Sequence, residues 1–197
     1  MTDVHTLLSP VTDETVRREL PRALSALPPW RLQKALSYRC DTDRYTCAKA
    51  WLLLCGLLSE HYGITSVPEP CCGPFGKPFL KDFPQVHFSI SHCRRAVLCA
   101  VCDAPVGVDV EELQYDPSLA RAVLSEAELS QLLACPDPRL CFTELWTRKE
   151  SLLKLEGTGL SGPDLRSLLE RKGSGVDLRT RSDPAAGIAW SIATLQQ

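Results

Sequence analysis

Three features are missing from this sequence: a long apolar run, a surplus of charge of one sign, and any internal repeat. The longest apolar stretch, residues 50–58, covers nine positions, whereas a helix that crosses a bilayer needs about 20. The 22 basic side chains are balanced by 24 acidic ones, so the chain has no positive field for non-specific binding of nucleic acid. We therefore expect neither a membrane nor a nucleic-acid partner.

An export signal is missing as well. The first ten residues, MTDVHTLLSP, carry acidic and polar side chains where a signal peptide has a basic and an apolar segment, so we expect a cytoplasmic protein. Most of the ten cysteines are then expected to be buried as small apolar side chains rather than joined in disulfides. The one C-x-x-C pair, Cys99 and Cys102, has no matching second pair, which argues against structural zinc.

The composition that is present is that of an ordinary globular protein, with 197 residues of which 44% are hydrophobic and 23% charged. This length suits one domain, or two small halves that share a core. Helices are predicted at about residues 13–26, 44–62, 126–133, 139–156 and 163–171, and strands at Val86–Ile90, Ala96–Val101, Val106–Val110 and Ile188–Ala193. Strands and helices therefore alternate irregularly along the chain, which predicts an α+β fold.

Local signals delimit these elements. Pro21 is expected to interrupt the first helix, and the prolines at 28–29 are expected to end it. Asp41 to Asp43 offer capping side chains for the long helix that Gly63 ends. Ser125 and Glu128 form a capping box. Residues 66–84, rich in proline, glycine and cysteine, are expected to form an irregular loop, and residues 91–95 a turn.

Two acidic residues stand out on the strand at 106–110. Alternation along a strand places Asp109 and Glu111 on one face and Val108 and Val110 on the other. Neighbouring carboxylates repel each other unless water or a cation lies between them, and a hard divalent ion such as Mg²⁺ would accept both. An edge strand with a solvated polar face is the alternative interpretation.

A second group lies on the helix predicted at 139–156. Trp146, Glu150 and Lys154 are spaced by four residues and so share one helical stripe. Glu150 could supply a third carboxylate to the same ion or act as a base, and Lys154 could hold a phosphate. Alternatively, Glu150 and Lys154 form an ordinary surface ion pair.

Taken together, these segments resemble the 4′-phosphopantetheinyl transferase superfamily, in its single-chain Sfp-type branch. The resemblance is carried by G-V-D-V-E at 107–111, W-T-R-K-E-S-L-L-K at 146–154, G-T-G-L at 157–160, D-x-x-R at 41–44, G-K-P at 76–78 and F-S-I-S-H at 88–92. It covers the chain from about residue 30 to about residue 160. Ser89 stands where asparagine is common in this family, and Cys93 where serine or threonine is common.

The resemblance implies two similar α/β halves related by a pseudo-twofold axis, with residues 1–105 on the coenzyme A side and 106–197 on the magnesium and catalytic side. It implies Mg²⁺ ligands at Asp109, Glu111 and Glu150, with Glu150 also the candidate base and Lys154 a catalytic residue that binds the pyrophosphate. Coenzyme A contacts are implied for Arg44, Lys77, Ser91, His92 and Lys154. Arg31 and Lys34 are further candidates for its 3′-phosphate.

The implied activity is transfer of 4′-phosphopantetheine from coenzyme A to a serine of an apo acyl or peptidyl carrier protein, with release of 3′,5′-ADP. Mg²⁺ would be the cofactor and coenzyme A the co-substrate of a monomeric enzyme. Two alternatives stay open: a non-catalytic module of the same fold that binds coenzyme A or a carrier protein, and a Mg²⁺ pyrophosphatase acting on nucleotides. The second leaves the F-S-I-S-H and G-K-P segments unexplained.

Overall fold

The computed structural model describes residues 3–159, 164–170, 173 and 175–195. Its helices are α1 (Asp13–Ser25), α2 (Pro29–Leu36), α3 (Asp41–Tyr62), α4 (Pro117–Val123), α5 (Glu126–Leu133) and α6 (Pro138–Glu156). Its strands are β1 (Val4–Pro10), β2 (Cys71–Cys72), β3 (Pro78–Phe79), β4 (His87–His92), β5 (Ala96–Cys102), β6 (Val106–Glu112), β7 (Val176–Asp183) and β8 (Ile188–Leu195). Within the described residues, no helix is both long and apolar enough to cross a bilayer.

Each half of the chain combines a three-stranded antiparallel sheet with one long helix. The first sheet has the order β1-β5-β4 and packs against α3, and the second has the order β6-β8-β7 and packs against α6. Strands β4 and β6 join the two halves. The α+β class with two similar halves is therefore confirmed, and the seam between β4 and β6 becomes the place to look for a site.

The central strand of the first sheet is buried on both faces. Val97, Cys99 and Val101 pack toward α3, whereas Leu98 and Cys102 pack toward the second sheet. Cys99 and Cys102 thus point to opposite faces, as residues three apart on a strand must. The expectation that most cysteines are buried is wrong, because only four of the ten free thiols are; the others lie on helix surfaces, turns and an exposed hairpin.

The helix ends follow from local chemistry in most cases. Gly63 and Gly157 end α3 and α6 in left-handed conformations, and the Ser125–Glu128 capping box is formed. Two expectations are wrong. Helix α1 runs through Pro21, which lies on its exposed side, and Cys40, not an aspartate, occupies the N-cap of α3 without a side-chain hydrogen bond. The acidic side chains instead lie in the first turn, where they complement the helix dipole.

Several elements were missed or misplaced by the sequence patterns. Strands β1 and β7 are edge strands whose mixed polarity hides their period, while α2 and α4 are short helices that begin with proline. Residues 91–92 continue β4 and do not belong to the predicted turn, which is confined to 93–95. The 66–84 loop contains the small hairpin β2–β3. Of the helix predicted at 163–171, the structure describes a 3₁₀ turn at Leu165–Ser167; positions 163 and 171, and Leu160, lie outside the described residues.

Close contact between β6 and α6 depends on Gly107. A methyl group at this position would collide with the Ser151 carbonyl and the Leu155 amide, and would lie 2.9 Å from Leu155 Cα. All of these are backbone atoms of a helix, so they cannot move aside as a flexible side chain could. The absent side chain therefore allows α6 to lie directly on the strand that carries Asp109 and Glu111.

We expect Gly107→Ala to lower the free energy of unfolding by at least about 2–3 kcal/mol, because it overpacks a helix–strand contact. The control is Gly56→Ala in α3, where nothing lies within 4 Å of the added methyl group, so the change should stabilise by about 0.5–1 kcal/mol. Chemical denaturation of both variants measures the two effects. Equal stabilities of the two variants would contradict the close contact.

Candidate active site

A buried hydrogen-bonded triad lies where β4, β6 and α6 meet. Lys154 Nζ is 2.6 Å from Asp109 Oδ1 and 3.0 Å from Ser91 Oγ, and Ser91 Oγ donates to Asp109 Oδ1 at 2.8 Å. Asp109 is only 2% exposed, whereas the Lys154 side chain is 31% exposed. The ion pair between Asp109 and Lys154 therefore lies within the second half, and Ser91 connects it to the first half by hydrogen bonds.

The strand pattern explains how Asp109 reaches this position. Val108 and Val110 pack into the core between the two sheets, so the intervening Asp109 points to the α6 side, as the alternation predicted. The backbone N–H of Val108 donates to Ser89 Oγ at 3.0 Å, which ties β6 to β4. Ser89, at the position where the family commonly has asparagine, thus accepts a hydrogen bond from the backbone of β6.

Two further carboxylates share the electrostatic field of Asp109. Burial, followed by the negative charge of Asp109, raises the pKa of Glu111 to about 7, with Lys154 opposing. Burial and Asp109 also raise the pKa of Glu150, again against Lys154. Three acidic groups thus lie close enough to destabilise one another's charged forms, while Lys154 is the cation that offsets them.

The acidic residues do not form a ready-made ion cage. Among the described residues, no three His, Cys, Asp or Glu side chains converge in the arrangement of a metal site. One observation nevertheless favours a cation beside Asp109: the Oδ2 atom of Asp109 is buried and has no hydrogen-bond partner. A buried carboxylate oxygen without a donor is unfavourable, and oxygen ligands of this kind suit Mg²⁺.

Several cations gather on the first-half side of the triad. Desolvation by neighbouring protein atoms, followed by the charges of Arg31 and Lys154, lowers the pKa of His92, although one side of this residue is exposed to solvent. Lys34 acts in the same direction and Asp43 opposes it. These groups therefore face a common region. Arg31 donates to the Cys47 carbonyl at 3.0 Å, but its Nε atom is buried without a partner. Such a concentration of positive charge is suited to a phosphate-bearing ligand.

Two predicted contacts of the ligand have other partners in the structure. Arg44 lies in the first turn of α3, where its guanidinium pairs with Asp41 at 3.0 Å and donates to the Tyr38 carbonyl at 3.0 Å. Lys77 Nζ donates to the backbone carbonyls of Val106 and Leu155. Within the described part of the chain, neither residue is hydrogen-bonded to the triad. Their roles in binding coenzyme A stay predictions.

A cavity of about 280 Å³ opens beside the triad. Its wall includes Glu150 and Lys154 from α6, and Ser89 and Ile90 from β4. The lining also includes residues of the β2–β3 hairpin and the glycines that follow α6, namely Phe75, Gly76, Lys77, Pro78, Gly157 and Gly159. The cavity thus places the predicted base and the predicted phosphate-binding lysine on one surface.

Comparison with known proteins shows which family the chain belongs to. Residues 105–195 match the sequence model of the 4′-phosphopantetheinyl transferase superfamily. The chain is 32% identical over 151 residues to the 4′-phosphopantetheinyl transferase Sfp of Bacillus subtilis (strain 168), a match covering 75% of this chain and 67% of that protein. The chain belongs to the 4′-phosphopantetheinyl transferase superfamily.

Other relatives carry the same family name. The 4′-phosphopantetheinyl transferase ffp of Bacillus subtilis is 30% identical over 75% of this chain and 67% of its own length. Among solved structures, the chain is similar to holo-[acyl-carrier-protein] synthase of Thermotoga maritima, with a TM-score of 0.40 and 24% identity over 48% of this chain and 64% of that one. The family match and the two Bacillus subtilis relatives confirm the sequence-based assignment to the Sfp type of this superfamily.

The sequence patterns missed one buried ion pair on α6. Lys149, the neighbour of Glu150, is fully buried; it pairs with Glu128 at 2.9 Å and donates to the Leu165 carbonyl at 2.7 Å. Glu128 simultaneously accepts from the Ser125 N–H of the capping box. Lys149 therefore fixes α6 against α5 from the side opposite the site. The signal available in the sequence was a lysine on the apolar side of a helix.

The raised pKa of Glu111 predicts how the stability of the metal-free protein depends on pH. A carboxyl group whose folded-state pKa is about 7, against 4.5 for the unfolded chain, favours folding when protonated, so its contribution is lost as pH rises between those values. Glu111→Gln should therefore be as stable as wild type at pH 4.5 and more stable at pH 8. Thermal unfolding in a chelator tests this; parallel pH profiles would refute it.

Proposed function

We propose that this chain transfers 4′-phosphopantetheine from coenzyme A to a serine of an apo acyl or peptidyl carrier protein. The serine oxygen forms a bond to the phosphorus of the pantetheine phosphate, and the bond to 3′,5′-ADP breaks. The observation that carries the proposal is the Asp109–Ser91–Lys154 triad beside a cavity that also holds Glu150, in a chain of this superfamily.

The first half is proposed to bind the phosphates of coenzyme A. The charges of Arg31 and Lys34 disfavour the charged form of His92, and a bound phosphate would offset this repulsion. A bound anion would also raise the lowered pKa of His92 and favour its charged form. Lys154 acts electrostatically on both His92 and the carboxylates, which suits an ammonium that contacts the pyrophosphate as negative charge grows on the leaving phosphate.

Glu150 is proposed to take the proton of the carrier serine. In the metal-free protein, burial and the charge of Asp109 raise the pKa of Glu150. A bound Mg²⁺ would lower this pKa again, so the role of Glu150 as a base depends on its position and not on strong basicity. Glu150 also lines the cavity directly, so a serine entering there could come within reach of it.

Asp109, Glu111 and Glu150 are proposed to hold Mg²⁺. The residues fit such an ion in two respects: Asp109 Oδ2 is buried without a donor, and burial, followed by the charge of Asp109, raises the pKa values of Glu111 and Glu150. When bound, Mg²⁺ would supply positive charge to the phosphate oxygens. The division into a coenzyme A side, residues 1–105, and a magnesium side, residues 106–197, follows from this assignment.

The transferase is favoured over a non-catalytic binding module of the same fold. A module that only binds coenzyme A or a carrier protein has no use for a cluster of buried and half-buried carboxylates, whereas this chain keeps all three together with Lys154. The identity of the carrier protein is left to experiment. The expected cytoplasmic location and monomeric state stay predictions.

Intact-mass spectrometry tests the proposal directly. The protein is incubated with coenzyme A, Mg²⁺ and a panel of apo carrier proteins, each in parallel with a variant whose acceptor serine is alanine. We expect at least one carrier to gain the mass of phosphopantetheine, with none gained by its serine-free variant. Binding of coenzyme A without modification of any carrier would favour the non-catalytic module.

Two lysine variants separate binding from catalysis. Lys154→Ala should lower kcat by about 100-fold or more, because a preorganised cation that contacts developing charge is lost. Lys34→Ala should instead raise KM for coenzyme A and spare kcat, because its phosphate carries equal charge in the ground and transition states. Steady-state kinetics with one carrier protein measure both. If Lys154→Ala changed only KM, Lys154 would be a binding residue.

A further inference from the structure

The β2–β3 hairpin, residues 71–79, forms one wall of the cavity, but its two strands are only two residues long each. Its strands pair at Cys71–Phe79 and Cys72–Pro78, and two further backbone hydrogen bonds close the turn, from Gly73 to Lys77 and from Gly76 to Gly73. Phe75, near its tip, is 63% exposed. A two-stranded hairpin of this length is not stable by itself in water. Something outside the hairpin must therefore hold it in place.

Lys77 supplies such a connection. Its ammonium donates to the carbonyl of Leu155, at the end of α6, at 3.0 Å, and to the carbonyl of Val106, at the start of β6, at 3.2 Å. The Leu155 carbonyl is among the last four of the helix, which lack an intrahelical donor. A cation at this end also complements the helix dipole.

The chain after α6 is shaped to admit the lysine stem. Gly157 has a φ of 73°, and a methyl group added to it would lie 2.9 Å from Lys77 Cδ. The stem therefore passes directly over the end of α6. Within the described residues, Lys77 has no carboxylate partner in ion-pair range, so its two backbone acceptors hold the buried ammonium.

We propose that Lys77 is a positioning residue that fastens the hairpin of the first half to the end of α6 in the second half, and thereby holds the cavity wall formed by Phe75, Gly76 and Pro78. The proposal rests on the proposed function only in that the cavity is taken to bind coenzyme A. It assigns Lys77 to backbone carbonyls of the protein, not to a phosphate of the ligand.

Limited proteolysis of the ligand-free protein measures the fastening itself. Chymotrypsin cleaves after Phe75, a site that Lys77→Met leaves intact, and cleavage of a folded protein follows the population of the locally open form. We expect Lys77→Met to be cut at Phe75 at least about five times faster than wild type, because two charge-assisted hydrogen bonds are lost. The control is Lys81→Met, an exposed lysine just beyond the hairpin, which should be cut at the wild-type rate.

Kinetics then separate positioning from a purely structural role. Below the melting temperature, Lys77→Met should raise KM for coenzyme A several-fold and spare kcat, because the wall is misplaced. Faster cleavage together with a raised KM supports the proposal. Unchanged cleavage with a raised KM would mean that Lys77 contacts the ligand directly, and faster cleavage with unchanged KM would mean that the wall does not matter for binding; either overturns it.

The two proposals fail in distinguishable ways. The proteolysis rate is measured without coenzyme A or carrier protein, so it reports on the fastening even if no carrier is ever modified; titration of coenzyme A by calorimetry then replaces KM. If Lys77→Met does not fold, Lys77→Gln, whose amide can still donate one hydrogen bond, gives an intermediate cleavage rate under the proposal and a wild-type rate if the fastening is absent.

Discussion

The contact between Asp109 and Lys154 is the constraint on which the site depends. It joins a buried strand residue of β6 to a half-exposed residue of α6, and through Ser91 it includes β4 of the other half. Because the carboxylate is almost fully buried, its charge requires a cation or donor within reach. The positions of β4, β6 and α6 are therefore coupled to one ionic group at the seam.

This arrangement concentrates like charges on both sides of the seam. Burial and the charge of Asp109 disfavour the charged forms of Glu111 and Glu150. Desolvation and the neighbouring cations likewise disfavour the charged form of His92. A ligand with several phosphates and a divalent ion would offset both. The site is thus strained by charge in a way that a surface ion pair between Glu150 and Lys154 would not be.

The local patterns that could be predicted from sequence are those decided by neighbouring residues. The alternation at 106–112, the capping box at Ser125 and the terminal glycines of α3 and α6 all formed as expected. Edge strands β1 and β7 could not be predicted, because one side of each is solvated and its polar residues obscure the period.

The sequence predicted which residues belong to the site, but not the contacts that these residues make. Spacing on one strand and one helix indicated Asp109, Glu111, Glu150 and Lys154, yet it could not indicate that Ser91 bonds to Asp109 across 18 residues of chain. Nor could it show that Lys77 turns to backbone carbonyls, one of them 78 residues away. These contacts depend on how two halves meet, which is a property of tertiary packing and not of any local pattern.

The central claim is that Asp109 is kept for chemistry and not for stability, and Asp109→Asn tests it most directly. The change preserves shape and removes one of three repelling charges. In one preparation, single-turnover transfer of phosphopantetheine and thermal unfolding are measured together. We predict that transfer falls by about 100-fold or more while the melting temperature stays within about 3 °C of wild type or rises. Unimpaired transfer, or a large loss of stability that accounts for the lost activity, would contradict the account.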